Sequence, residues 1–156
     1  MFMSIVARTF RLARHAWART VLANLVASVI AAIVIIDWTR FCRVVRVAGG
    51  EHPLFYRVIL ERHVCEMTDL PVADRERLMR VVFACEAALR RLAAPDKVNL
   101  ASLGNQVAHL HWHVIARFAD DAHFPDPVWA APRRSGARRD ALEDRAFGAA
   151  IAGALA

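Results

Sequence analysis

A short run of alternating residues constrains this chain more than any other feature. Within the segment 107–116, every second residue from position 109 to position 113 is a histidine, and bulky apolar residues stand between them. Side chains alternate between the two faces of a β-strand, so this period predicts a strand with its apolar face on a core. The other face presents His109, His111 and His113, roughly 6.5–7 Å apart along the strand. Unperturbed imidazoles titrate near neutral pH, so this face is a candidate source of nucleophile and proton donor.

The flanking chain predicts further strands and one long helix. Segments 41–47 and 55–60 are rich in β-branched and aromatic residues and are joined by a turn-forming stretch, which predicts an antiparallel pair. Segment 98–102 predicts a short strand before a turn at Gly104. Apolar residues recur at three and four positions between 72 and 93, which predicts a helix. The predicted apolar stripe comprises Leu78, Val81, Val82, Cys85, Leu89 and Leu92.

The motif His-apolar-His-apolar-His-apolar-apolar follows a Gly-polar-polar turn and an upstream helix. In this setting it resembles the histidine triad (HIT) family of nucleotide hydrolases and transferases. The resemblance covers roughly residues 38–132 and is strongest over 96–118. It implies an α+β, HIT-like fold, with an antiparallel sheet of about five strands, one long helix and a shorter helix. It also implies a homodimer, since two such domains often pair in this family.

The resemblance implies roles for particular residues. His111 would be the nucleophile that attacks the α-phosphorus of a nucleotide, and water would then resolve the nucleotidyl-histidine intermediate. A neutral imidazole can do this if its other nitrogen is held by a carbonyl. His109 and His113 would flank the phosphate, and at least one cationic imidazole would offset its developing charge. The implied substrate-binding residues are Asn99, Asn105, Gln106 and His63.

The function implied is hydrolysis or nucleotidyl transfer at a phosphoanhydride, a phosphoramidate or a dinucleoside polyphosphate such as diadenosine polyphosphate. One alternative is a HIT-fold protein that binds nucleotides without turnover. Another is a zinc site made by the three histidines, because imidazole is a common zinc ligand. The chain lacks the Cys-x-x-Cys ligands that some family members use, so no metal and no cofactor are predicted.

Charge and cysteine content limit the partners and the compartment. Lys and Arg number 21 and Asp and Glu number 15, so the net charge is +6, which fits anionic substrates and membrane surfaces equally well. No recognised nucleic-acid motif accompanies this charge, and no nucleic-acid partner is predicted. Three widely spaced cysteines do not suggest a disulfide framework, which favours a reducing, cytoplasmic location.

The two ends of the chain differ from the segment 37–132, which is the predicted catalytic domain. Residues 1–36 form a basic and apolar extension that contains no acidic residue. This extension would anchor the protein to a membrane, contribute a helix and a buried strand, or be absent from the working protein. The β-branched stretch 29–36 favours the strand. Residues 133–156 are basic and then rich in Ala and Gly, and we expect a mobile tail there.

Overall fold

The computed structural model describes the backbone of residues 32–38, and residues 41–48 and 51–156 with their side chains. Five strands form one sheet in the order β1-β2-β3-β5-β4. Their bounds are Ala32–Trp38 (β1), Cys42–Val47 (β2), Phe55–Leu60 (β3), Lys97–Ala101 (β4) and His111–Arg117 (β5). The pairs β2–β3, β3–β5 and β4–β5 are antiparallel. The predicted antiparallel sheet of about five strands is therefore confirmed.

Two helices cover one face of this sheet. Helix α1, Val72–Ala93, follows a short 3-10 turn at Met67–Asp69, and helix α2 is Asp144–Leu155. Both helices bury apolar side chains in a core shared with the strands. The predicted stripe of α1 is buried except for Leu92, which is 38% exposed. The prediction of an α+β fold with one long and one shorter helix is confirmed.

The C-terminal segment differs from the predicted mobile tail over residues 144–155. Helix α2 begins after Glu143, whose carboxylate accepts hydrogen bonds from the first backbone N–H groups of the helix. Phe147 and Ile151 are fully buried, and the Phe147 ring stacks on Tyr56 with 4.1 Å between ring centroids. The composition of this segment does not predict the contact, because the segment is mostly Ala and Gly. Two large side chains one turn apart are enough to bury one side of the helix.

Strand β1 lies beside β2 in the sheet and crosses the boundary predicted at residue 37. It overlaps the stretch 29–36, for which the β-branched residues favoured a strand. Residues 1–31 lie outside the described residues, and so does the predicted helix or anchor there. No helix in the described part of the chain has the length and hydropathy needed to cross a membrane.

The register of the central strands decides which side chains share a face. On β3, Arg57 lies directly opposite His113 of β5, and Phe55 lies opposite Ile115. On β4, Asn99 lies opposite Ile115 from the other side. Side chains directly opposite one another in a sheet point to the same face. The histidine face therefore carries residues of β3 and β4 as well as β5, and it is the face turned away from the helices.

Strand β5 begins later than predicted. The predicted strand was 107–116, whereas the observed strand is His111–Arg117. Gly104 turns the chain with a φ of 72°, a left-handed conformation that glycine adopts without strain. Residues 105–107 then form a bend, and His109 lies in a second bend just before the strand. The rule of alternating faces consequently applies to His111 and His113 but not to His109.

Candidate active site

His111 is held in one tautomer by the backbone. Its Nδ1 lies 2.7 Å from the carbonyl oxygen of His109, so Nδ1 carries the proton and donates it to that oxygen. The other ring nitrogen, Nε2, is then an unprotonated base with a free electron pair. We had expected a carbonyl in this role. Here it comes from the chain two residues earlier, which the bend at His109 brings beside the ring.

His113 is the nearest partner of that electron pair. Its Nε2 lies 3.1 Å from the Nε2 of His111, so the Nε2–H of His113 donates to His111. The two rings meet edge to face, with 4.8 Å between centroids. His113 is 4% exposed, and its buried Nδ1 has no hydrogen-bond partner among the residues that the structure describes. The pair thus places one nitrogen base and one N–H donor at the same point of the histidine face.

His109 has a different environment from the other two histidines. Its Nε2 donates to the carbonyl oxygen of Leu60 at 2.6 Å, and its Nδ1 lies 3.1 Å from the Nδ1 of His63. The two rings stack with 20° between their planes. The structure therefore brings the predicted residue His63 to His109. The prediction that the His109 ring flanks a phosphate is not matched in this geometry, because its Nε2–H is committed to a carbonyl.

Burial controls the charge of the two facing imidazoles. Burial, the neighbouring His111 and the Arg57 guanidinium lower the pKa of His113 from 6.5 to about 3. Burial also lowers the pKa of His111, and Arg57 adds to this effect, although the hydrogen bond to His109 raises it. Both rings are neutral near pH 7. These shifts disfavour a charged His113 in the absence of a bound anion, and the cationic flanking imidazole stays a prediction.

Two aromatic side chains form one wall beside His113. The Phe55 ring lies 5.3 Å and the Trp129 ring 5.3 Å from the His113 ring, both edge to face. Trp129 is 53% exposed although it is large and apolar. An exposed aromatic ring beside a candidate nucleophile offers a surface on which a flat ligand group can pack. Phe55 and Trp129 were not among the predicted site residues.

The other predicted substrate-binding residues are not gathered at this point. The side-chain oxygen of Asn99 accepts a hydrogen bond from Arg117 at 2.8 Å, although the residue lies on the histidine face. Asn105 and Gln106 are exposed in the bend between β4 and β5. Neither makes a side-chain hydrogen bond within the described part of the chain. The structure thus leaves their roles as predictions.

A buried ion pair fixes the segment that carries Trp129. Arg117 is 1% exposed and binds the Asp121 carboxylate through Nε at 2.8 Å and Nη2 at 3.0 Å. Burial raises the pKa of Asp121, but hydrogen bonds from Arg117 and from three backbone N–H groups outweigh it and hold the pKa well below its usual range. Arg117 also donates to the carbonyl oxygen of Asp126 at 2.8 Å. The sequence predicted an irregular segment here but not its anchor.

A group of potential metal ligands lies away from the histidine pair. Ligand atoms of His52, Asp121 and His123 all lie within 4.8 Å of one another, and they are the only such group in the part of the chain that the structure describes. The Asp121 oxygens already accept two hydrogen bonds from Arg117 and one each from three backbone N–H groups. This saturation and the adjacent guanidinium charge disfavour a cation there.

Comparison with known protein families and solved structures agrees with the histidine motif and the fold described above. The family model described as HIT domain matches residues 28–120. A histidine triad protein from Bradyrhizobium japonicum is 30% identical, with a TM-score of 0.63, over 80% of this chain and 90% of that one. A histidine triad (HIT) protein from Sinorhizobium meliloti is 26% identical, with a TM-score of 0.64, over 85% and 94%.

A third solved structure also has a similar fold. A histidine triad protein from Marinobacter aquaeolei is 24% identical, with a TM-score of 0.62, over 85% of this chain and 93% of that one. No curated protein matches the chain. The family match covers more than half of the residues, and it includes the whole histidine motif. The chain therefore belongs to the HIT family of histidine triad proteins.

Proposed function

We propose that this protein cleaves or transfers nucleotidyl groups through a covalent intermediate on His111. HIT proteins are in general nucleotide-binding proteins or nucleotide hydrolases. The observation that carries the proposal is the tautomer of His111. Its Nδ1–H is held by a carbonyl at 2.7 Å, which leaves Nε2 as a base on the histidine face of the sheet. This is the arrangement that a neutral imidazole nucleophile requires.

The proposed reaction has two balanced steps. The Nε2 electron pair of His111 forms a bond to the α-phosphorus, and the bond from phosphorus to the leaving group breaks with its electrons on the leaving group. The leaving group takes a proton from water. In the second step water attacks phosphorus and gives up one proton to the solvent, the P–N bond returns its electrons to Nε2, and nucleoside monophosphate is released. The Nε2–H of His113 donates to the Nε2 of His111 before the substrate binds, and it would pass to a non-bridging oxygen when that electron pair attacks phosphorus.

Two other functions deserve comparison with this one. A nucleotide-binding protein without turnover would not need a nitrogen base at position 111, so the retained His111 favours an enzyme. A zinc site made by the three histidines requires their ring nitrogens to converge. Instead, His109 bonds to Leu60 and His63, and the three rings do not form a group of converging ligands in the described structure. These contacts disfavour zinc at the three histidines, and the absence of a metal and of a cofactor stays a prediction.

The substrate is expected to be a nucleoside phosphoanhydride, a phosphoramidate or a dinucleoside polyphosphate. The purified protein should be incubated with adenosine and guanosine derivatives of each kind while nucleoside monophosphate release is followed. Wild-type protein should release monophosphate from at least one of them, and His111→Ala should not. His52→Ala is a matched control, because His52 pairs with His123 away from His111. Equal turnover by wild type and His111→Ala would refute the assignment.

The assembly and location remain part of the proposal. Strand β4 is an edge of the sheet and β-strand edges are pairing sites, which supports a homodimer. Light scattering on purified protein would test this. We propose a cytoplasmic location because the three cysteines are free thiols, and membrane association through residues 1–36 is the alternative. Fractionation of cells that express the full chain would separate the two.

A further inference from the structure

Arg57 differs from the other arginines in the described part of the chain because it lacks a carboxylate partner and also has a buried Nε without an acceptor. Six other arginines form ion pairs with carboxylates, namely Arg43, Arg46, Arg62, Arg117, Arg133 and Arg139. In the described part of the chain, Arg57 forms none. Its Nε is buried, and no residue that the structure describes accepts a hydrogen bond from it. Burying a cationic donor without an anion or an acceptor costs free energy, so such a group is typical of a site that receives an anion.

The position of Arg57 connects it to the candidate nucleophile. Arg57 lies directly opposite His113 in the β3–β5 pair, and the two side chains therefore emerge on the same face. Its guanidinium carbon lies 5.8 Å from the centroid of the Phe55 ring, which in turn packs on His113. The cation thus lies beside the aromatic wall, on the face and at the strand position of His113.

Because the two histidines are neutral, another group must supply the positive charge that stabilises a reacting phosphate. A reacting phosphate carries negative charge on its non-bridging oxygens, and positive groups that face them stabilise the transition state. His113 is neutral near pH 7 because burial, His111 and Arg57 lower its pKa. Arg57 itself contributes to lowering that pKa. A guanidinium keeps its proton in such surroundings, because its ordinary pKa is so high.

We propose that Arg57 is the phosphate-binding cation of this site and contacts the non-bridging oxygens of the α-phosphate. The inference rests on the proposed function, since it concerns the same site. It identifies the group that Arg57 binds as a phosphate monoester or anhydride rather than a neutral nucleoside. Arg57 offers parallel N–H donors that match two phosphate oxygens. The sequence contained a signal for it: Arg57 is the one charged residue within the otherwise uncharged strand 55–60.

Equilibrium binding separates this role from turnover. AMP, GMP and the matching nucleosides are titrated into wild type, Arg57→Gln and Arg57→Lys by calorimetry. We expect Arg57→Gln to bind the preferred monophosphate about tenfold more weakly or worse, with nucleoside binding unchanged. Arg57→Lys, which keeps the charge but not the paired donors, should lie between. Arg43→Gln is the control, because Arg43 lies on the same face of the next strand and pairs with Glu61.

A second measurement needs no substitution. The Nε–H signal of Arg57 in the nuclear magnetic resonance spectrum of wild type should shift when the monophosphate is added and stay unchanged with the nucleoside. Monophosphate binding that is equal in wild type and Arg57→Gln, or an Arg57 signal that ignores the monophosphate, overturns the inference while the proposed function stands. If wild type binds neither monophosphate and releases none from any substrate, the proposed function falls, and this inference falls with it.

Discussion

Replacing His113 by Gln should change how the stability of the protein depends on pH. The folded state lowers the pKa of His113 from 6.5 to about 3, with burial as the largest cause. Because the folded pKa is depressed, the stabilisation is complete above pH 6.5 and is lost as the pH falls toward 3. A shift of this size corresponds to about 5 kcal/mol in total, since each pKa unit is about 1.4 kcal/mol.

The loss between two convenient pH values follows from the same shift. From pH 7 to pH 4.5 the unfolded chain takes up a proton on His113 and the folded protein does not. The free energy of unfolding should fall by about 3 kcal/mol from this residue alone. Gln cannot titrate, and it keeps an amide N–H that can donate to the Nε2 of His111. The His113→Gln protein should therefore lose less stability than wild type over this range.

Denaturant unfolding of both proteins at pH 7 and pH 4.5 measures the difference. Groups with shifted pKa values that do not contact His113, such as His52, affect both proteins alike, so their contributions cancel in the comparison. We expect wild type to lose about 3 kcal/mol more than His113→Gln. Equal losses in the two proteins would show that His113 titrates normally in the folded state, and the argument for a neutral pair would then fail.

Three further predictions concern the fold and the metal. Phe147→Ala should lower the free energy of unfolding by about 3–5 kcal/mol, because it empties a fully buried site. Gly153→Ala in the same helix should raise the free energy of unfolding by about 0.5–1 kcal/mol, because a Cβ there meets no atom within 4 Å. Thermal unfolding checks both, and a destabilised Gly153→Ala would contradict the described packing. A protein shortened to residues 37–156 loses most of β1, which uncovers the edge of β2. Because strand edges are pairing sites, the shortened protein should aggregate or melt at a lower temperature. A monodisperse and equally stable product would favour the interpretation that residues 1–36 anchor the protein to a membrane. Catalytic activity should survive exhaustive chelation, and activity that is lost with a stoichiometric zinc ion would favour a metal site.

The strands and the long helix could be predicted because their patterns are long or strongly periodic. The helix over 72–93 was predicted with the bounds that the structure has, and strand 55–60 likewise. Helix α2 was underestimated, because only Phe147 and Ile151 within it are large enough to bury much apolar surface. Its stability comes from tertiary packing on Tyr56 and α1, which a local pattern does not contain.

The site was predicted in part, and the differences have physical causes. Alternation placed three histidines on one face, but the chain before β5 bends, so the backbone of His109 serves His111 while its ring bonds to Leu60. Arg57 was not predicted as a site residue, because its role is inferred from the lack of a carboxylate beside it in the described structure. Whether a cation lacks a counter-ion is decided by neighbours from other strands, and the sequence gives no register for them.

The measurement closest to the central claim is the capture of the covalent intermediate. Wild type is mixed with the best nucleotide substrate carrying a radioactive α-phosphorus and quenched in base during turnover, because P–N bonds to histidine resist base and not acid. The label should be found in the protein, on the peptide that contains His111, and it should be absent from His111→Ala. Turnover without labelled protein, or label on a different residue, would contradict the claim that the Nε2 of His111 attacks phosphorus.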